Sequence, residues 1–122
     1  MPTFVGGKKL ESRCFSLSNT LAISGFVSEL PLFTVMREEF KKGIMLRKIM
    51  VKTAKSTSAK LVFNILNNGF QTMPSLEVLM NGSFCSFLDK IGCLMLPDES
   101  LSIVLPVEDL PWVNVTILFS EN

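Results

Sequence analysis

The chain has 122 residues, 48% of them apolar, a formal net charge of +1 and a mean hydropathy of +0.40. That length suits one domain around one core, and no run reaches the ~18 uncharged apolar residues of a membrane-spanning helix. Histidine is absent, which excludes a Ser-His-Asp or Cys-His centre built within the chain.

The first residues, "MPTFVGGKKLESR", hold neither a continuous apolar core nor a small-residue cleavage site, so they do not read as a secretory signal. Gly6-Gly7-Lys8-Lys9 is polar and glycine-rich. It predicts a flexible, extended N-terminal arm over residues 1–12, ordered only when a neighbour holds it, ahead of a single domain over residues 13–122. "FSLSNTLAISGFV" alternates weakly around Phe15, Leu17, Leu21 and Ile23. "FTVMREEFKKG" has Val35, Met36 and Phe40 as its apolar positions and Gly43 as a stop. It fits a helix, or equally a strand with a charged end.

Charge is concentrated in the next stretch. Arg37, Lys41, Lys42, Arg47, Lys48, Lys52, Lys55 and Lys60 face only Glu38 and Glu39, whereas residues 61–122 hold Lys90 against seven acids. Such asymmetry would orient one subunit on the next or set a basic edge on an acidic partner. The plainer reading has lysines guarding exposed strand edges. Residues 41–60 contain no aromatic side chain, which speaks against nucleic acid.

From there the period is two. "LVFNIL" places Leu61, Phe63 and Ile65 on one face, "SLSIVLP" does the same for Leu101, Ile103 and Leu105, and "WVNVTILF" for Val113, Val115, Ile117 and Phe119. In "LEVLMNGSFCSFL", Asn81-Gly82 predicts a two-residue hairpin turn, since both positions tolerate positive φ. The register would set Leu79 opposite Phe84 and Val78 opposite Cys85. Leu76, Val78, Cys85 and Phe87 then form a core face, and Glu77, Leu79, Phe84 and Ser86 a mixed outer one. Asn67-Asn68-Gly69, Met73-Pro74, Pro97-Asp98-Glu99-Ser100 and Asp109-Leu110-Pro111 punctuate the strands, and Pro106 closes the run before it. Many short strands with few helices predict an all-β antiparallel β-sandwich, jelly-roll-like.

The apolar content predicts surplus surface for a subunit interface; a greasy monomer is the alternative. The candidate interface residues are Leu79 and Phe84, with Val62, Leu66, Val104 and Leu118. Chemistry is sparse. Cys14, Cys85 and Cys93 are odd in number, lack zinc-pair spacing and read as reduced thiols, with Cys85 a small core filler. Glu38-Glu39, Asp98-Glu99 and Glu108-Asp109 lie in or beside turns and read as solvated acids. "FVGGKK" lacks the frame of a phosphate loop. No catalytic, cofactor-binding or metal-ligating residue is designated. Asn81-Gly82-Ser83 and Asn114-Val115-Thr116 match glycosylation triplets, which carry meaning only in a secreted chain. Trp112, the sole tryptophan, and Phe70 are the candidate ligand contacts, by stacking on a sugar; Trp112 as a rim residue sealing the sandwich is the plainer reading.

The stretch "GIMLRKIMVKTAKSTSAKLVFNILNNG" resembles small β-sandwich structural proteins of tailed bacteriophages. The match lies in Leu46, Ile49 and Val51, then Thr53, Ala54, Ala59 and Leu61, then Phe63 and Ile65, and Asn68-Gly69. "CLMLPDESLSIVLP" is similar to the family's Leu-x-x-Gly-Asp-x-Leu-x-Val segment through Asp98, Leu101, Ile103 and Leu105, with Pro97 where glycine is usual. "VNVTILF" fits the closing strand. The resemblance implies a connector of small residues that crosses between sheets. It also implies a non-enzymatic virion component, made in the host cytoplasm: a capsid decoration, head-fibre or tail protein. Its partners would be copies of itself, a trimer among the options, and other virion proteins, with no nucleic acid, membrane or cofactor. The second implied reading is a carbohydrate- or host-receptor-binding module of a phage fibre that takes a host-surface glycan.

Overall fold

Alternation of apolar and polar side chains builds ten strands in the computed structural model, which describes residues 14–22, 29–88, 92–104 and 110–122. The expected arm over residues 1–12 lies outside the described residues, as do Ile23, Leu105, Pro106 and the Glu108-Asp109 pair. The strands are β1 (Cys14–Ala22), β2 (Glu29–Thr34), β3 (Ile44–Thr57), β4 (Lys60–Asn67), β5 (Phe70–Gln71), β6 (Leu76–Leu79), β7 (Gly82–Phe87), β8 (Cys93–Met95), β9 (Ser100–Val104) and β10 (Trp112–Glu121).

They form two five-stranded sheets in which every ladder is antiparallel. The front sheet runs β1-β10-β3, with β7 and β8 end to end along the far edge of β3. The back sheet runs β2-β9-β4, with β5 and β6 end to end along the far edge of β4. The pairings nest in the chain: β4 with β5 and β6, β3 with β7 and β8, β2 with β9, β1 with β10. One long hairpin rolled over itself gives this order, which is that of a jelly-roll sandwich. The expected fold class is therefore observed.

Between the sheets lie Leu61, Phe63, Ile65, Leu101 and Ile103 from the back, and Ile44, Leu46, Ile49, Val51, Val113, Val115 and Ile117 from the front, all buried. Phe119 ties the two sheets at one end. Its ring stacks on Phe15 at 5.2 Å and Phe33 at 5.6 Å and meets the edge of Phe40 at 5.8 Å. Each such pair contributes about 0.5–1.5 kcal/mol beyond area burial.

Three register shifts interrupt the described ladders; one falls between Lys52 and Thr57, where β7 begins, and the other two are single-residue bulges. Phe119 pairs with Leu46 and Leu118 with Lys48, so Arg47 is the extra residue. Ser102 pairs with Pro31 and Leu101 with Phe33, so Leu32 is extra in β2. The β1 alternation is weak because Asn19 takes a core-side position. Its amide donates to the Leu32 carbonyl of the opposite sheet at 3.2 Å, satisfying a group left over at that bulge.

The Asn81-Gly82 hairpin is not formed. Leu76–Leu79 pairs with Lys60–Phe63 in the back sheet, and Phe84–Phe87 pairs with Ile49–Lys52 in the front. Met80-Asn81 instead crosses between sheets, with Met80 buried and its N–H donating to the Ala59 carbonyl at 2.9 Å. The local turn preference lost to long partner strands that bury the same faces. The inward set Leu76, Val78, Cys85 and Phe87 does pack on the core. The Asn-Gly hairpin occurs at Asn68-Gly69, where φ is +52° and +83° and Asn67 pairs with Phe70.

The connector of small residues behaves as expected: the chain leaves the front sheet at Thr57 and enters the back one at Lys60. The segment around residues 33–43 is neither a helix nor one strand. After β2 it closes in tight turns, Phe40 N–H to Met36 O at 2.8 Å and Gly43 N–H to Phe40 O at 3.1 Å, with Val35 and Phe40 buried. The edge-guard reading of the lysines also fails for Lys52, which pairs on both sides, with Asn114 and with Phe84.

Candidate functional site

On the outer face of the front sheet, ladder register sets Thr20, Asn114, Lys52 and Phe84 in one row across four strands. Ala22 and Trp112 stand in the next row, at the end of the sheet where β10 begins. The Asn114 amide nitrogen donates to Thr20 Oγ1 at 2.9 Å and Ser18 Oγ at 3.2 Å. The Thr116 hydroxyl lies 3.3 Å from Asn114 Oδ1 and 3.2 Å from Ser18 Oγ. These bonds hold a polar ladder over β1 and β10. Beside it, Thr20, Ala22, Lys52, Trp112 and Asn114 line a shallow, open depression of about 530 Å³.

The outer face of the back sheet carries a different network. Glu29 accepts from Asn64 at 3.1 Å and from the Ser102 hydroxyl, Ser75 donates to Asn64, and Gln71 donates to Ser75 at 3.1 Å. Val104 and Val62 form the neighbouring row, which ends on Glu77. Lys60 pairs with Leu79 across the ladder and with Glu77 through an exposed ion pair of 3.5 Å.

The six candidate interface residues therefore do not form one patch. Leu79, Val62, Leu66 and Val104 lie outside the back sheet, and Phe84 and Leu118 outside the front one. Leu79 is 68% exposed and Phe84 56%, while the other four are half-buried. The two candidate ligand contacts are also separated. Trp112 opens β10, at the opposite end from Phe119. Phe70 is 78% exposed and follows the β4–β5 turn, at the Phe119 end of the back sheet. About 20 Å of strand lies between the two ends, so they cannot line one site.

Met36 and Leu96, each 50% exposed, and Leu94 at 42% extend the apolar surface and were not legible beforehand. Met36 and Leu96 sit in turns and Leu94 in a three-residue strand, where no period reports a face. Of the acid pairs, Glu38-Glu39 is exposed, but Glu99 is buried and accepts the Leu96 N–H at 2.8 Å. It is a cap for the Pro97-Asp98 turn rather than a solvated acid. Cys85 packs on the core as a filler, and none of the three cysteines is in a disulfide. Among the described residues, no group of three or more Cys, Asp or Glu side chains could hold a metal ion. No protein-family model matches the chain, and no curated protein is detectably similar to it.

Proposed function

We propose that the protein is a non-enzymatic structural subunit of a virion, a capsid decoration, head-fibre or tail component. It assembles by packing against copies of itself and other virion proteins. One observation carries the reading. Large apolar side chains stand exposed on both outer faces, Leu79 behind and Phe84 and Leu94 in front, and in turns of the Phe119 end. Burying what each leaves exposed stabilises an assembly by about 1 kcal/mol or somewhat more, roughly half the value for a fully exposed side chain. A molecule with such residues on several sides suits neighbours on several sides. The jelly-roll order and the connector resemblance support the virion setting; fold alone would not. Sedimentation at micromolar concentration is expected to give a discrete oligomer, and purified particles to contain the chain in fixed stoichiometry. A monomer throughout, missing from particles, rejects the reading.

A second reading, a glycan-binding module of a phage fibre, is favoured by the depression that holds Trp112. Phe70 has no part in it.

A further inference from the structure

We infer that the depression at the Trp112 end of the front sheet takes an anionic pyranose, a sugar bearing a carboxylate or a sulfate, with its ring on the indole of Trp112 and its charge on the ammonium of Lys52. The inference rests on the glycan-binding reading and names its ligand class.

The hydrogen-bond inventory of the site points to an acceptor-rich ligand. Asn114 spends its amide hydrogens on Ser18 and Thr20, and its carbonyl meets the Thr116 hydroxyl. Because Thr20 Oγ1 accepts from Asn114, the hydroxyl hydrogen of Thr20 is left to donate outward. The Trp112 indole N–H is a donor with no acceptor function, and Lys52 offers three donors and a full charge. Among the described residues, no carboxylate lines the depression. Lys52 is exposed and makes no ion pair among the described residues, unlike Arg37 with Asp98 and Lys60 with Glu77. Among the described residues the site is therefore a cluster of donors around the Lys52 ammonium, with no carboxylate paired to it, beside the chain's sole tryptophan. A neutral sugar would satisfy the indole face but leave the ammonium uncompensated. An anionic one meets both, through a charge-assisted bond stronger than a neutral one. The volume of about 530 Å³ is in the range of small-ligand sites.

The lone tryptophan supplies the readout. The full chain is titrated with hexasaccharides of hyaluronan, which carries carboxylates, and of heparin, which adds sulfates, and with maltohexaose, which is neutral, while Trp112 emission is followed. Hyaluronan or heparin is expected to shift the emission saturably; binding of hyaluronan shows that a carboxylate suffices, and binding of heparin alone that a sulfate is required. Lys52→Gln is expected to weaken that binding by about tenfold or more, with an unchanged melting temperature because the side chain is exposed. Raising salt from roughly 50 to 500 mM is expected to weaken it as well. Calorimetry reads the Trp112→Phe variant, which keeps an aromatic platform, as weaker than wild type and stronger than Trp112→Ala. Equal binding of the neutral sugar, or indifference to Lys52→Gln, overturns the anionic inference and leaves the glycan reading standing. No emission change with any of the three overturns both.

Discussion

Gly43 shows how one residue position can be settled by a neighbour distant in sequence. Its φ is +86°, and a Cβ built there would lie 2.2 Å from the Met95 carbonyl oxygen. That carbonyl is held by the β3–β8 ladder, in which Ile44 pairs with Met95, so it cannot move aside. Gly43→Ala is expected to destabilise the fold by about 2–3 kcal/mol, read as a lower denaturation midpoint at unchanged slope. Cys93 lies two ladder positions along, opposite Leu46, buried, with its thiol 3.7 Å from the Met73 sulfur. Burial first, and the Glu99 carboxylate second, raise its pKa above the ordinary 9.0. A folded-state pKa above the unfolded one gives stability that is complete below the unfolded pKa. It is lost as pH rises from there towards the folded value, because the unfolded chain ionises first. Stability is therefore expected to fall as pH rises past about 9, and Cys93→Ala to flatten that slope. A thiol reagent should label the exposed Cys14 well before Cys93.

Among the elements, β3 holds the most information. Leu46, Ile49 and Val51 are all inward, a spacing of three and then two. A strand can do this only by carrying one extra residue, and the register places it at Arg47, whose guanidinium donates to Ser120 Oγ at 2.9 Å. Deleting Arg47 would restore strict alternation and keep Leu46 and Ile49 on the inward face, because Lys48 then stands alone opposite Leu118. The deletion is expected to keep a cooperative thermal transition at a lower midpoint, through loss of the Arg47–Ser120 bond; loss of cooperativity would mean that the bulge itself is required for the fold. Sheet edges are also managed locally. Pro31 stands on β2, an edge strand, where its missing N–H costs no ladder bond, and Pro74 lies between β5 and β6, where the far edge of β4 changes partner.

For the whole molecule, the distribution of exposed apolar groups matters more than their number. Phe84 is 56% exposed on an edge strand and pairs with Lys52. Phe84→Asp would set opposite charges across that ladder, so the folded subunit should change by less than about 0.5 kcal/mol. If the chain assembles as proposed, the variant is expected to dissociate that assembly while keeping its far-ultraviolet circular dichroism, and an assembly left intact would place Phe84 outside its contacts.

Strand faces were legible in the sequence because a period of two is a local property: Leu61, Phe63, Ile65, Val113, Val115 and Ile117 read as inward and are buried. The fold class followed from many such strands and their turns, and even the inward set around Asn81-Gly82 was readable. Partner choice was not. Whether Leu79 and Phe84 face each other or stand on opposite sheets depends on which distant strands offer the larger buried area, and the two crossovers joined by Met80 and Ala59 exist only once both sheets are in place. The same holds for the candidate site. Trp112 could be singled out by composition, but its neighbours Thr20 and Lys52 come from strands far away in the chain, and register alone brought them together.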